Sequence, residues 1–247
     1  MIDYKHSANP HTIDGPMAAF PKIFSEKNQI SSLLDVGCGI GTWIKAAMNH
    51  GISNVNGIDG VSISDEELII PREYFVCLDL NKTINLGKKF DAVLCLEVAE
   101  HLEATSSESL IKTLTNHADL IIFSAAIPKQ SGWHHVNCQW PDYWQNLFNK
   151  QGYTCEDNLR SVLWDDPNIE FWYKQNIFTA RRSDNAGSEP RIKAIIHPEM
   201  QSVISISEPT FEEHIFQIEN GRMPISWYIT KPFQAIINKT LRKIRNI

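Results

Sequence analysis

The sequence predicts a doubly wound α/β fold: a mostly parallel, seven-stranded sheet with helices on both faces. Three observations predict it. Short apolar runs alternate with helix-like segments, several of those runs stop at an acidic residue, and the first ends in a glycine-rich turn that opens a helix. Parallel neighbours need crossover connections, and helical crossovers cover both faces of the sheet.

The elements follow in order. Residues 1–30 read as a loop and a short helix leading into the core. Residues 32–36 form the first strand and 43–49 a helix that Gly51 stops. Strands at 55–58, 74–78 and 90–96 end at Asp59, Asp79 and Glu97. Residues 107–116 place Leu110, Ile111 and Leu114 on one helical face, and 120–127 is the fifth strand. Pro141 opens a helix with Trp144, Leu147 and Phe148 on one side, and Gly152 ends it. Strands at 153–156 and 176–180 complete the sheet. One domain is expected over 1–182, with its core at about 30–182. The breaker-rich stretch 183–190 reads as a linker. Residues 191–247 read as an extension that ends in a basic amphipathic helix, with Phe233, Ile236, Ile237, Leu241 and Ile244 on one face.

Composition narrows the function classes. A hydrophobic share of 43% supplies a sizeable core, and no apolar run is long enough to span a membrane. The start of the chain lacks the pattern of a secretory signal. Cys38, Cys77 and Cys95 lie in or beside apolar runs and read as reduced thiols, which points to the cytoplasm. The net charge of −6 hides an asymmetry: after Glu219 come six basic residues and no acidic one. The acidic body argues against broad nucleic-acid binding. The basic end suits an anionic membrane surface, the catalytic domain or a second subunit of a homodimer.

The segment from Leu33 to Gly41 is LLDVGCGIG. Glycines let the backbone turn tightly and approach a ligand, and the following helix offers unpaired N–H groups. The dinucleotide fingerprint G-x-G-x-x-G is not met, because its third glycine falls on Thr42. The pattern D-x-G-x-G-x-G resembles motif I of class I, Rossmann-like S-adenosylmethionine-dependent methyltransferases. The resemblance covers 33–181. It implies that Asp35, Gly37, Cys38, Gly39 and Gly41 wrap the methionine half of S-adenosyl-L-methionine. Asp59, with Gly60, would take the ribose hydroxyls, Asp79 with Leu80 the adenine, and Glu97 the methionine end.

Two clusters carry candidate chemistry. In Glu97-Val98-Ala99-Glu100-His101, a helical turn would bring Glu97, Glu100 and His101 to one face. This E-x-x-E-H pattern resembles ubiquinone-pathway O-methyltransferases and small-RNA 3′-terminal 2′-O-methyltransferases. Those families can hold Mg²⁺ or another divalent cation there, here through Glu97, Glu100, His101 and His135. The same pattern also occurs in methyltransferases without a metal. The second cluster contains His134 and His135; with Glu100 and His101 they are the candidate catalytic residues. Adjacent histidines in an extended loop face opposite ways, so one of the pair is expected to be structural. The segment 134–144 resembles one in bacterial methyltransferases of surface-polysaccharide and small-molecule pathways. Trp133, Asn137, Gln139 and Trp140 are the candidate acceptor contacts, since aromatic faces and amides suit a sugar; the competing reading of Trp140 and Trp144 is a core layer. The expected activity is O-methylation of a sugar, glycan precursor or other small molecule. The alternatives are a metal-dependent RNA 2′-O-methyltransferase and a catalytically silent scaffold.

Overall fold

The computed structural model describes residues 12–25 and 29–202. The described residues belong to one compact unit. The expected basic amphipathic helix lies outside the described residues.

The sheet has seven strands in the order β3-β2-β1-β4-β5-β7-β6. They are β1 (Ser32–Val36), β2 (Asn54–Asp59), β3 (Phe75–Cys77), β4 (Ala92–Leu96), β5 (Leu120–Ser124), β6 (Tyr153–Glu156) and β7 (Phe178–Arg182). The pairs among β1 to β5 are parallel, and β7 runs antiparallel to both β5 and β6. The helices are α1 (Asp14–Ile23), α2 (Thr42–Asn49), α3 (Ser107–His117), α4 (Pro141–Lys150), α5 (Arg160–Leu163) and α6 (Phe171–Asn176). The expected strands and longer helices are present, most of them within two residues of their expected ends. The short helices α5 and α6 were not expected; at four and six residues they carry too little periodicity to read.

Central strands β1, β4 and β5 are buried at every position, as parallel strands covered on both faces require. Alternate residues divide the core. Leu34, Val36, Val93, Cys95, Ile121 and Phe123 pack towards α3 and α4. Leu33, Leu94, Leu96 and Ile122 pack on the other side with residues of α1 and α2. Pro141 at the start of α4 aims Trp144 and Phe148 at Phe123, with ring centroids 5.3 and 5.4 Å away. Trp144 is therefore a core residue. No helix among the described residues is long and apolar enough to cross a membrane.

The stretch 183–190 is not a free linker. Glu189 Oε1 accepts from the Asn149 and Gln145 amides at 2.6 and 3.0 Å and from the Cys155 N–H at 3.1 Å. Burial alone would raise its pKa, but these donors hold it down at about 2. The Ile192 N–H then donates to Gln145 at 2.9 Å, so the chain stays strapped to α4 and β6. Polar composition was misleading because those polar groups are hydrogen-bonded inward.

Candidate functional site

Parallel strands place their carboxyl ends on one edge, and a cavity of about 450 Å³ opens there. Its first wall is the loop after β1. Gly37, Gly39 and Gly41 all have left-handed backbones, with φ of 81°, 52° and 95°. A Cβ on Gly37 would also lie 2.3 Å from a Val98 methyl, so glycine is required on two counts. Asp59, at the end of β2, accepts the Gly39 N–H on one oxygen and the Val61 N–H on the other, both at 2.8 Å. Each oxygen can accept more than one hydrogen bond, so the carboxylate can also receive ribose hydroxyls. Asp79, Leu80 and Gly60 line the same wall. A glycine cradle, a strand-end carboxylate and a volume of this size fit a nucleoside with an amino-acid tail.

Two residues of the expected cofactor set do not line the cavity. Gly41 turns the chain into α2, and its Cα faces Ile70. Asp35 is buried beneath the loop, its Oδ2 without a hydrogen-bond partner. Burial, and then the charge of Asp59, push its pKa up to about 8.

The second wall follows β4. Residues Ala99–His101 form a 3₁₀ turn, while Glu97 precedes it in a left-handed conformation, φ 56°. The expected single helical face is thus broken at Glu97. Its carboxylate is taken by amides instead: Asn176 Nδ2 reaches Oε1 and Oε2 at 3.0 and 3.2 Å, and Gln130 Nε2 reaches Oε2 at 3.2 Å. Burial raises the Glu97 pKa to about 7 against the pull of these bonds.

Glu100, His101 and His135 come together, with one ligand atom from each lying within 4.8 Å of the others. Long-range backbone bonds assemble them: the Glu100 carbonyl accepts the Val136 and Asn137 N–H groups at 2.9 and 3.1 Å. The His135 ring sits over Gly132, where any Cβ would be 2.2 Å from its Nε2. Its Nδ1 lies 3.0 Å from the Gln130 carbonyl, an acceptor only, so Nδ1 carries the proton and Nε2 keeps its lone pair. The His101 pKa is lowered to about 4 by burial and then by His135; the His135 pKa is lowered by burial. Both imidazoles are neutral ligands or bases at neutral pH. Glu100 is fully buried, with the Glu97 carboxyl and the backbone N–H groups of Glu100 and Ala126 beside its own carboxyl. Burial, then the charge of Glu97, push its pKa well up.

The structure corrects the other site assignments. Glu97 is absent from the three-residue cluster because the amides hold it. His134 is exposed at φ 53° and does not line the cavity. None of the four expected acceptor contacts lines it either. Asn137 is buried and ties its loop to the turn, donating to Ser107 Oγ at 3.0 Å and to the Ala99 carbonyl at 3.4 Å. Gln139 donates to Asn137 at 3.2 Å, Trp140 packs on Ile127 and Met200, and Trp133 is exposed. The wall facing the cluster comes from Thr12, Gln130, Ser131, Glu170, Trp172 and Tyr173. Thr12 donates to Glu170 at 3.0 Å, and Trp43 to Tyr173 at 3.3 Å. Sequence reasoning missed these six. They lie in short or irregular segments, Gln130 and Ser131 just ahead of the histidine pair and the others far from any motif, and only the fold gathers them.

Comparisons bear on the whole arrangement. Residues 10–147 match a family model described as a methyltransferase domain. No curated protein matches the chain. Among solved structures, DesVI of Streptomyces venezuelae superposes with a TM-score of 0.53 at 14% identity, over 69% of this chain and 93% of its own. The methyltransferase domain of bacterial CtHen1-C gives 0.50 at 14%, over 70% and 100%. Magnesium protoporphyrin IX methyltransferase (ChlM) from Synechocystis PCC 6803, solved with S-adenosylhomocysteine (SAH) bound, gives 0.47 at 20%, over 69% and 82%.

Proposed function

The chain belongs to the methyltransferase-domain family, class I enzymes that use S-adenosylmethionine, and from that premise we propose O-methylation of a small polyhydroxylated acceptor, a sugar or glycan precursor, with a divalent ion held by Glu100, His101 and His135. The observation that carries this reading is the cluster itself, set in the wall of the cavity that the glycine loop lines. A fully buried carboxylate beside a second carboxyl is costly unless a cation or a proton meets it. One carboxylate and two neutral imidazoles suit a borderline ion such as Mn²⁺ better than Mg²⁺. Such an ion would supply a Lewis acid that lowers the pKa of an acceptor hydroxyl, so that solvent water could take the proton.

The transfer is an in-line displacement. The acceptor oxygen forms a bond to the methyl carbon, the carbon–sulfur bond breaks, and its electron pair stays on sulfur as the neutral thioether. Alignment supplies most of the rate. The glycine loop and Asp59 hold the nucleoside, and Glu97 faces the methionine end. Thr12, Ser131 and Glu170 offer hydrogen-bonding groups to hydroxyls, and Trp172 offers an aromatic face. No Lys or Arg lines the cavity among the described residues, which favours an uncharged acceptor over RNA.

The test incubates the purified chain with methyl-labelled S-adenosylmethionine, Mn²⁺ and a panel of sugars and polyols. Label recovered in an ether product, and lost in Glu100→Gln, supports the reading. Label recovered on nitrogen or on RNA, or transfer indifferent to chelation, overturns it.

A further inference from the structure

Glu97 has an unusual combination of features for a carboxylate at a cavity wall. It is half-buried, its backbone is left-handed without being glycine, and both oxygens are taken by side-chain amides. The left-handed region is disfavoured for any residue with a Cβ, so surrounding contacts must hold it there. The Glu97 N–H is fixed by Ser124, whose backbone oxygen and hydroxyl both lie at 3.1 Å. The amides also hold each other: Asn176 Nδ2 donates to Gln130 Oε1 at 3.1 Å, and the Ile127 N–H donates to the same oxygen at 3.2 Å.

The three side chains come from the ends of β4, of the loop after β5, and of α6, so nothing local brings them together. Glu97 and Gln130 line the cavity; Asn176 is 2% exposed and stands behind them. Two amides on one carboxylate fix its orientation without adding charge.

We propose that Asn176 and Gln130 are positioning residues: together they lock the Glu97 carboxylate towards the α-ammonium of the cofactor's methionine half. The proposal rests on Glu97 facing that end of the cofactor. The acceptor and the metal ion play no part in it. Recognition of the amino-acid tail then depends on residues that never touch the cofactor's adenosine. Asn176 acts wholly through Glu97.

Two commercial ligands separate this role from a structural one. SAH carries the amino-acid tail, and 5′-methylthioadenosine carries the same thioether nucleoside without it. Calorimetric titration of the full chain should show Gln130→Ala and Asn176→Ser each binding SAH about tenfold more weakly, a charge-assisted contact being about 1.5–3 kcal/mol. Their affinity for 5′-methylthioadenosine should stay within about twofold of wild type by the same reasoning. Asn176→Gln, which keeps an amide, should recover part of the loss. A parallel fall for both ligands, or no change for either, overturns the proposal. Where Asn176→Ser does not fold, Gln130→Ala carries the test, because it deletes one donor at the cavity wall. Wild-type protein that binds neither ligand would instead overturn the cofactor assignment, a separate failure.

Discussion

The loops after β1 and β4 leave neighbouring strands on the same edge of the sheet, and both use left-handed residues, yet they are built on opposite plans. The β1 loop is three glycines that bring bare backbone to the cavity, steadied by one carboxylate, Asp59. The β4 loop presents side chains: distant amides orient Glu97, and backbone bonds from Val136 and Asn137 fix the turn that carries Glu100 and His101. A backbone cradle needs only small residues in the right places. A side-chain constellation needs supports, and those supports come from the fold as a whole.

The contrast can be broken at Asp59. If the first loop is the cofactor cradle, Asp59→Ala should weaken SAH binding about 100-fold, the loss of charge-assisted bonds to ligand and loop together. Calorimetry reads it directly, and an unchanged affinity would remove the cradle from the cofactor site. Gly37→Ala should cost about 2 kcal/mol of stability from backbone strain and overlap. Adding Val98→Ala should return only the part due to overlap, as urea denaturation would show; full recovery would mean that the left-handed backbone costs nothing. On the other plan, Glu100→Gln should weaken Mn²⁺ binding about tenfold or more and leave SAH affinity unchanged. Electron paramagnetic resonance of free Mn²⁺ measures the first. A joint loss would tie the two loops into one site.

A finer comparison sets the clamped carboxylate of Glu97 against Asp35, which has none of its supports. Asp35 keeps its proton to about pH 8 in the fold and would release it near pH 4 when unfolded. The folded state therefore binds the extra proton between those values, and stability falls as pH rises through them. Asp35→Asn has no proton to lose. It should match wild type near pH 4 and exceed it by about 4 kcal/mol at pH 7, three pH units above the unfolded pKa, with a margin that grows towards pH 8. A melting-temperature difference that ignores pH would contradict the assignment. The smallest effect is expected at the strap. Glu189→Gln should lower stability by about 1 kcal/mol above pH 5, and the difference should shrink as acid titrates Glu189 towards pH 2.

What could be read from the chain follows the same division. The glycine loop, Asp59, Asp79 and the alternating elements are local patterns, and periodicity and spacing expose them. Glu100, His101 and His135 were named from residue type, but their meeting depends on backbone bonds between segments about 35 residues apart. Asn137 was read as an acceptor contact because its chemistry suits a sugar; it is in fact the clasp that brings His135 to the turn. Asn176, Gln130 and Glu170 have no local signature, since their importance arises only where three segments cross. The strap at 183–190 misled for the converse reason: its composition describes a solvated loop, and its bonds describe a docked one.

The amides around Glu97 have an electrostatic consequence. Had Lys or Arg held that carboxylate, their charge would have cancelled its field, and a cationic ligand approaching it would meet little attraction. Neutral donors steer the group and add no counter-charge to cancel the field it gains on ionising. With its pKa raised to about 7, the carboxyl stands near its titration point, and the positive end of a zwitterionic guest draws out the anion without a counter-charge from the chain.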